Sequence, residues 1–268
     1  MERARGSGRA GRERRELILA EVRAGNGHVE SLAERLDVSV ATIRRDLRRL
    51  VEEGRITRTY GGAVASPRPL EFTLQEKELS YRRQKDAIAR LAAGLVEDGE
   101  VIILDAGTTT GRLAWYLRER RNLTVVTNGL SALLALRDAD GVEVVVLGGQ
   151  LRHLNQALIG GLAEANLRQV TADRVFLGAD GLSPDRGLNC PTLAQATLKG
   201  LMLHRARQAF VIADHSKLAS WRFPYVTPLD RPWTLITDDQ VTEDLVRPYR
   251  RGGVEVMLAE VGDREAGR

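Results

Sequence analysis

The stretch that decides the fold of the first part of the chain is Val38-Ser39-Val40-Ala41-Thr42-Ile43-Arg44-Arg45-Asp46-Leu47-Arg48-Arg49-Leu50. Apolar residues recur in it at Ile43, Leu47 and Leu50, a spacing that places them on one face of a helix. The opposite face carries small and cationic side chains: Ala41, Thr42, Arg44, Arg45, Arg48 and Arg49. Ser39 precedes the first turn, where its hydroxyl can accept a hydrogen bond from a free amide as an N-cap. Small residues at the start and guanidinium groups further along are typical of a helix that enters a DNA major groove.

The sequences on either side predict the rest of a winged helix-turn-helix. Two shorter apolar patterns precede the stretch and predict two helices, the first with Leu17, Ile18 and Val22 and the second with Val29, Leu32, Ala33 and Leu36. Gly54 follows as a helix stop, and residues 55–64 alternate around a Gly61-Gly62 turn, as the strands of a β-wing would. We therefore predict a winged helix-turn-helix over residues 12–66. The alternative is a small helical bundle whose arginine-rich face only meets solvent.

The distribution of charge favours DNA as the partner. The net charge is +4, and residues 1–66 hold fourteen Arg, no Lys and ten acidic residues, so the whole surplus lies in this first domain. The side chains expected to contact double-stranded DNA lie at the start and on the exposed face of the third helix and in the wing: Ser39, Ala41, Thr42, Arg44, Arg45, Arg48, Arg58 and Tyr60.

Several classes of protein are disfavoured by composition. Cys190 is the only cysteine, so an internal disulfide is impossible and a reducing, cytoplasmic location is the simplest expectation. No apolar run approaches the ~20 residues that cross a bilayer. Residues 1–11 lack an apolar segment, so we interpret them as a flexible basic tail rather than a secretory signal. The four histidines show no ligand spacing with Cys190 or with each other, so we expect neither a metal nor another cofactor.

The remaining chain predicts an α/β domain. Ser66-Pro67-Arg68-Pro69 marks a break in the chain. Residues 67–84 are expected to form a linker and bridging helix, and the helical pattern itself runs over residues 70–98. A sensing domain is expected over residues 85–260. Short apolar runs predict strands at residues 101–104, 123–127, 142–147, 174–177, 209–213, 233–237 and 254–258, with helical patterns between most of them, for example at 163–170, 193–206 and 242–249. Continuous Val/Ile/Leu runs are typical of strands buried on both faces. The predicted fold is a Rossmann-like domain with a mostly parallel sheet.

Small polar residues follow five of these strands. They are Asp105-Ala106-Gly107-Thr108-Thr109-Thr110, Thr127-Asn128-Gly129, Gly148-Gly149, Gly178-Ala179-Asp180-Gly181 and Asp214-His215-Ser216-Lys217. Because ligands of open α/β sheets bind beyond the carboxyl ends of the strands, we expect a polar pocket there. Gly107 leaves room for a ligand close to the backbone, and the helix that follows presents free amides to an anion. The Walker A and Gly-x-Gly-x-x-Gly spacings are missing, so neither a nucleoside triphosphate nor a dinucleotide is favoured.

A few further residues have two readings each. Arg152 and His153 follow Gly148-Gly149, and their position is as consistent with reaching the ligand as with missing it. Asp238-Asp239 has the composition of a metal pair, but capping of the helix that begins near Thr242 is the better explanation. Cys190 has no histidine partner and is expected to be a small buried hydrophobe.

Together the motifs resemble the DeoR family of bacterial transcriptional regulators over residues 12–260. The DNA-binding signature is Val40-Ala41-Thr42-Ile43-Arg44-Arg45-Asp46-Leu47 with the wing Arg58-Thr59-Tyr60-Gly61-Gly62-Ala63, and the sensor signature is the set of strand-end motifs. The resemblance implies an oligomeric repressor of sugar-catabolism genes, released from its operator by a phosphorylated sugar. It also implies a sensor fold similar to ribose phosphate isomerase, a pocket lined by Asp105, Gly107, Thr108 and Thr109, and ligand contacts from Asp180, Lys199 and Lys217. The family usually has histidine where Tyr60 stands and glutamate where Ala194-Gln195 stands.

Two other functions compete with that of a repressor. A sugar-phosphate isomerase with an attached DNA-binding module would need a general base, for which Asp180 is suitable, but residues 191–199 offer no second acid/base glutamate. A purely architectural DNA protein, whose second domain only forms dimers, would not need a polar pocket. We therefore expect a regulator rather than an enzyme, with operator DNA, a phosphorylated sugar and further copies of itself (a dimer or tetramer) as partners.

Overall fold

The computed structural model describes residues 14, 15, 17–22, 24–52, 56–65, 71–218 and 220–262. The chain divides into two compact units, Met1–Leu70 and Glu71–Arg268. The sequence expectations for residues 1–11, for Gly54 and for the break at residues 66–69 lie outside the described residues. Among the helices that the structure describes, none is both long and apolar enough to span a membrane.

The first unit is a winged helix-turn-helix, as predicted. Its elements are helix α1 (helical at residues 14, 15 and 17–22), α2 (Val29–Arg35), α3 (Val40–Glu52) and the antiparallel strands β1 (Ile56–Thr59) and β2 (Gly62–Ala65). The three apolar residues Ile43, Leu47 and Leu50 of α3 are fully buried against α1 and α2. Leu17 was expected in this core but is 56% exposed, and Leu19 occupies the core instead.

The turn of the wing differs from the predicted Gly-Gly turn. Thr59 pairs with Gly62, so the two turn residues are Tyr60 and Gly61, and Gly61 adopts φ +83°, which favours glycine. Gly62 instead packs against the chain before α2, where an added Cβ would lie 2.5 Å from the carbonyl oxygen of Gly27. The second glycine is therefore required by close packing rather than by the turn.

The second unit is built on a seven-stranded parallel sheet with the order β14-β13-β11-β8-β3-β4-β5. Its strands are β3 (Val101–Leu104), β4 (Leu123–Thr127), β5 (Val142–Val146), β8 (Ala172–Gly178), β11 (Ala206–Ile212), β13 (Thr234–Asp238) and β14 (Glu255–Ala259). All seven agree with the predicted runs to within three residues at either end. One apolar cluster packs α5 (Arg82–Gly94), α6 (Thr108–Tyr116) and α7 (Leu130–Leu136) on one face, and a second packs α8 (Gly161–Leu167), α9 (Leu193–His204) and α10 (Glu243–Arg251) on the other.

Smaller elements were not predicted. The strands β6 (Gln150–Arg152) and β7 (Ala157–Ile159) form a hairpin, while β9 (Gly181–Ser183), β10 (Gly187–Cys190) and β12 (Tyr225–Thr227) form an antiparallel sheet. None of these five strands contains the run of four or more apolar residues that marked β3 in the sequence. Cys190 is fully buried in β10, as expected for a small hydrophobe.

The expected helix over residues 70–98 is two helices. The first, α4 (Leu74–Leu79), is capped by Thr73 and Glu76 in a capping box, and the chain breaks before α5 at Tyr81, whose φ is +52°. Residues 71–84 belong to the second unit, so this part of the proposed bridging segment is tied to the sensor domain. The amide of Leu74 donates to the Leu154 carbonyl at 2.9 Å and helps to hold it there.

Candidate DNA-binding surface and sensor site

The exposed face of α3 is cationic. Ala41, Arg44, Arg45, Arg48 and Arg49 are all exposed on it, whereas the opposite face is buried. The start of the helix is held by Ser39, whose Oγ accepts from the Thr42 amide at 3.2 Å and lies 2.9 Å from the Thr42 hydroxyl. The hydroxyls of Ser39 and Thr42 are thus engaged with each other, and the arginines are the groups of this face that project into solvent.

The one carboxylate in the middle of α3 does not share that face. Asp46 is only 3% exposed, and it accepts from Arg14 Nε at 2.7 Å and lies 3.6 Å from Arg15 Nη1. It anchors α1 to α3 and leaves the charge of Arg44, Arg45 and Arg48 uncompensated from this side. This role of Asp46 was not predicted from the sequence, although a single acidic residue within a run of arginines could have indicated an internal ion pair.

The wing places its two predicted DNA-contacting side chains in solvent. Arg58 is exposed on β1, and Tyr60 at the turn is fully exposed. A fully exposed tyrosine has no packing role within the chain, so its ring and hydroxyl are available to a partner surface.

In the second unit, polar residues converge where the strand order reverses. The chain runs from β3 outward through β4 to β5, and then returns to β8 on the other side of β3. The loops after β3 and β8 therefore diverge from a switch point, the place where ligands bind in open α/β sheets. A cavity of about 50 Å³ lies there, lined by Leu74, Lys77, Lys85, residues 106–110, Asn155, Gly178, Ala179, Asp180, Gln195, Lys199, residues 212–214 and Lys217.

A buried ion pair forms the base of this site. Asp105 accepts from the Lys199 ammonium and, at 3.1 Å, from the Gly178 amide, and Lys199 also donates to the Gly178 carbonyl at 2.7 Å. Both side chains are nearly inaccessible to solvent. Burial would lower the pKa of Lys199, but the charge and the hydrogen bond of Asp105 outweigh it and the pKa of Lys199 is raised, so the ammonium is charged at neutral pH. The pair joins the end of β3 to the end of β8 through α9.

The loop after β3 leads directly into α6. Gly107 has φ 171°, an extended conformation open to any residue, so glycine here provides space rather than an unusual backbone. The amides of the first turn of α6 have no acceptor within the helix, as in any α-helix, and this turn lines the cavity. Thr108 and Thr109 line it as well, whereas the Thr110 hydroxyl donates to the Gly107 carbonyl at 3.1 Å and is committed to the loop.

Five of the predicted effector-binding residues do not line the cavity: Asp105, which is held against the lining residue Lys199, and Thr127, Asn128, Gly148 and Gly149. Asn128 supports the loop instead, since its Oδ1 accepts from the Ala106 amide at 2.9 Å, and the Thr127 hydroxyl donates to the Leu104 carbonyl at 2.7 Å. Gly148 and Gly149 turn the chain from β5 into β6 with positive φ angles. Because β5 is the edge strand, that turn lies away from the switch point, and the two glycines predicted as ligand contacts are not part of the cavity lining.

Two lysines of the cavity were missed by the sequence analysis. Lys77 on α4 forms an ion pair with Asp180, and although burial would raise the pKa of this carboxyl, Lys77 outweighs it and holds the pKa below its ordinary value. Lys85 donates to the carbonyls of Lys77 and, at 2.8 Å, Ser80, and burial lowers its pKa to about 8. A signal existed for Lys85, since it shares an apolar helix face with Ile88, Ala89 and Ala92.

The loop after β11 brings Asp214 and Lys217 to the cavity. Asp214 caps the single 3₁₀ turn His215–Lys217 by accepting from the Ser216 amide at 3.2 Å. Among the residues that the structure describes, no carboxylate lies within ion-pairing distance of the Lys217 ammonium. The site therefore holds a cation that is not already neutralised by a neighbour.

The residues for which the sequence left two roles open lie outside the cavity. Asp238 does not cap α10 but is fully buried. Its Oδ2 accepts from the backbone amide of His215, and its Oδ1 lies 2.7 Å from the His215 Nδ1. Asp239 accepts from the Val261 amide at 3.2 Å, so neither acid caps α10. Arg152 does not line the cavity and instead forms a bidentate ion pair with Glu71, while His153 is exposed.

Sequence profiles match both units. A profile of the DeoR-like helix-turn-helix domain matches residues 14–68, and a profile of the DeoR C terminal sensor domain matches residues 80–239. The chain belongs to the DeoR family. It is a DNA-binding transcriptional regulator.

Individual DeoR-family relatives cover most of the chain. It is 33% identical over 250 residues to the "Putative aga operon transcriptional repressor" of Escherichia coli O157:H7, with 92% of this chain and 93% of that protein aligned. It is 32% identical over 218 residues to the "Lactose phosphotransferase system repressor" of Lactococcus lactis subsp. lactis, with 80% of this chain and 85% of that protein aligned. Relatives of this extent are regulators, which makes this DeoR-family chain a regulator rather than an enzyme.

A solved ribose-5-phosphate isomerase in complex with phospho-erythronic acid is also similar to part of the chain. The match has 24% identity and a TM-score of 0.37, and it covers 50% of this chain and 52% of the isomerase. A likeness of that size says nothing about what this DeoR-family chain binds.

Proposed function

We propose that this DeoR-family regulator represses sugar-catabolism genes and is released from its operator by a phosphorylated sugar bound at the switch-point cavity. The observation that carries the proposal is the meeting of the first-turn amides of α6 with the Lys217 ammonium in one cavity. Free amides at a helix N-terminus favour an anion, and a cation without a carboxylate partner adds to that preference. The names of the relatives, which include a lactose-system repressor, are consistent with a sugar as the ligand.

The same cavity offers acceptors for a sugar. Asp180 and Asp214 line it, and carboxylates accept hydrogen bonds from hydroxyls. Asp105, already engaged by Lys199, is expected to fix the position of the loop and of the ammonium rather than to be freely available. A ligand with one phosphate and several hydroxyls therefore matches the site better than a purely anionic or a neutral molecule. Gln195, in the Ala194-Gln195 segment where the family usually has glutamate, is also a cavity residue and is expected to affect which sugar is preferred.

On the DNA side, α3 is the recognition helix. Ala41 and Thr42 lie in its first turn, where the helix enters the major groove, and the arginines extend along its exposed face. Either a base edge or a phosphate is a suitable partner for each guanidinium group. Arg58 and Tyr60 of the wing are proposed to contact the DNA backbone beside the groove.

The functional form is proposed to be a symmetric oligomer. A single recognition helix buries too little surface for tight operator binding, whereas a two-fold pair reads two half-sites separated by about one helical turn or a multiple of it. Mass measurement of the full-length protein, alone and on DNA, tests this. A protein that stays monomeric in both conditions contradicts it.

The test of the proposed function uses the full-length protein in two steps. A thermal-shift screen compares glucose 6-phosphate, fructose 6-phosphate, fructose 1-phosphate and ribose 5-phosphate with their unphosphorylated counterparts. Only phosphorylated sugars should raise the unfolding temperature. The sugar phosphate with the largest shift is then titrated into complexes with duplexes that the protein selects from a random library. A typical coupling of ~1–3 kcal/mol would weaken DNA binding ~5–150-fold.

The competing architectural function gives a different result. A second unit that serves only for assembly would show no shift with any sugar phosphate and no change in DNA affinity. Either of these two results, obtained with protein that binds its selected duplex, contradicts release by a sugar phosphate.

A further inference from the structure

Helix α4 is held against the sensor domain by charged groups rather than by an apolar core. None of its residues is buried, and Leu79 is 68% exposed. Lys77 pairs with Asp180 in the cavity, and Glu78 pairs with Arg112 of α6. A helix attached in this way can leave its position without exposing a large apolar surface.

Two more interactions hold the ends of α4. Glu71, just before the helix, forms a bidentate ion pair with Arg152 of the β6–β7 hairpin, and one of the two hydrogen bonds, from Nη1 to Oε1, measures 2.7 Å. At the other end the Lys85 ammonium donates to the carbonyls of Lys77 and Ser80. Glu71 and Arg152 do not line the cavity themselves, but each contacts a residue that does: Glu71 Oε1 lies 3.8 Å from the Lys77 ammonium, and Arg152 Nη1 donates to Asn155 Oδ1 at 3.1 Å.

The helix is also the wall between two spaces. On one side is the switch-point cavity of about 50 Å³, and on the other an open groove of about 980 Å³ between α4, α5, α6 and α7. Leu74 of α4 and Thr108 of α6 line both spaces. Removal of α4 from between them would join the cavity to the groove.

The cavity as it stands is too small for the proposed ligand. A dry cavity of about 150 Å³ accommodates benzene, and the cavity here, at about 50 Å³, is a third of that volume. A phosphorylated sugar is larger than benzene. It can enter only after part of the lining moves, and among the α-helices that line the cavity α4 is the one without a buried residue.

We propose that α4 is a strap that occupies the effector site and must be displaced before a phosphorylated sugar can bind. This inference rests on the proposed function of the cavity. In the closed form, Lys77 forms the ion pair with Asp180. In the open form, the sugar hydroxyls replace Lys77 as the partners of Asp180, and the phosphate lies beside the α6 amides and Lys217. Only residues 71–73 separate α4 from the boundary between the two units, so displacement of the strap acts on the chain that enters the DNA-binding domain.

The test weakens the strap at a residue outside the cavity lining. Glu71→Gln removes the charge that pairs with Arg152 and that lies 3.8 Å from the Lys77 ammonium of α4, so the closed form becomes less populated. Because the apparent Kd is the intrinsic Kd divided by the fraction of open molecules, we expect the full-length variant to bind about tenfold tighter. The probe is the sugar phosphate from the screen above with the largest thermal shift, and binding is measured by isothermal titration calorimetry.

Glu100→Gln is the matched control. Glu100 accepts from Arg174 Nε at 2.8 and 3.0 Å, and both side chains are largely shielded from solvent, as in the strap pair. Glu100 precedes β3 and Arg174 lies near the start of β8, so this pair is at the opposite end of the sheet. Its loss should leave the Kd unchanged. Unchanged or weaker binding by Glu71→Gln, with wild type binding normally, overturns the strap and leaves the proposed function standing. If neither wild type nor Glu71→Gln binds any sugar phosphate of the panel, the proposed function itself fails and the strap with it.

Hydrogen exchange of the wild-type protein provides a second measurement that needs no variant. The amides of residues 74–79 should exchange faster when the sugar phosphate is bound, because the strap has left its site. Slower exchange of these amides in the complex would mean that α4 closes over the ligand, and this result would overturn displacement.

Discussion

The buried pair of Asp105 and Lys199 is expected to couple two strand ends of the sensor domain. Removing one charge leaves the other buried with Gly178 as its remaining hydrogen-bond partner, and breaking a buried pair in this way costs ~3 kcal/mol or more. We expect Asp105→Asn and Lys199→Met each to lower the free energy of unfolding by ~3 kcal/mol. The double variant should lose ~3 kcal/mol or less instead of ~6, because no unpaired charge remains, which gives a coupling energy of ~3 kcal/mol.

Urea unfolding followed by tryptophan fluorescence measures this in the full-length protein. All three tryptophans lie in the second unit, at positions 115, 221 and 233, so the signal reports only the domain that contains the pair. A stability of ~5–15 kcal/mol leaves the single variants folded. The solvent-exposed pair Arg250 and Glu243, which lies 2.6 Å apart, provides a control cycle whose coupling should stay below ~1 kcal/mol. Strictly additive losses at Asp105 and Lys199, or losses below ~1 kcal/mol in the singles, would refute a mutually dependent buried pair.

Three further predictions concern the arginines of α3, the loop at Gly107 and the pKa of Lys85. Arg45→Ala with Arg48→Ala should leave the fold intact and weaken binding to the selected duplex by ~1–3 kcal/mol for each guanidinium group that reads a base edge, measured by fluorescence anisotropy; unchanged affinity contradicts the assignment of this face. Gly107→Val should fold, because the φ of 171° at this position suits valine. The valine side chain should fill the space beside the α6 amides, so operator titrations should show DNA binding that no longer responds to the sugar phosphate. A wild-type response would exclude this loop as the phosphate site. The pKa of Lys85 in the folded protein is lowered to about 8 from its ordinary 10.5. Between these two pH values the unfolded chain holds more protons than the folded one, so the stability contributed by this group rises with pH there. In Lys85→Met that rise, ~2–3 kcal/mol between pH 8 and 10, should disappear from urea unfolding curves, and equal pH dependence in both proteins contradicts the shifted pKa.

The sequence by itself determined both folds because each depends on local periodicity. Ile43, Leu47 and Leu50 define the buried face of α3 at a period that only a helix satisfies, and the arginines follow on the other face. In the second unit, the continuous apolar runs marked all seven strands of the parallel sheet. The rule that ligands bind at the carboxyl ends of such strands then brought Asp105, Gly107, Asp180 and Lys217 into one predicted site without any knowledge of strand order.

Strand order itself, and with it the content of the cavity, was decided only by the tertiary structure. Gly148 and Gly149 satisfy the same strand-end rule, but β5 is the edge strand, two positions from β3, so their turn lies outside the cavity. Lys77 reaches the cavity from α4, more than a hundred positions from its partner Asp180, and no local pattern encodes an ion pair across that separation. Periodicity shows which face of an element is buried, but the neighbours that it meets there depend on how all the elements pack together. For that reason the sequence predicted a polar cavity at the strand ends, and only the packed structure revealed that Leu74 and Lys77 of α4 line it.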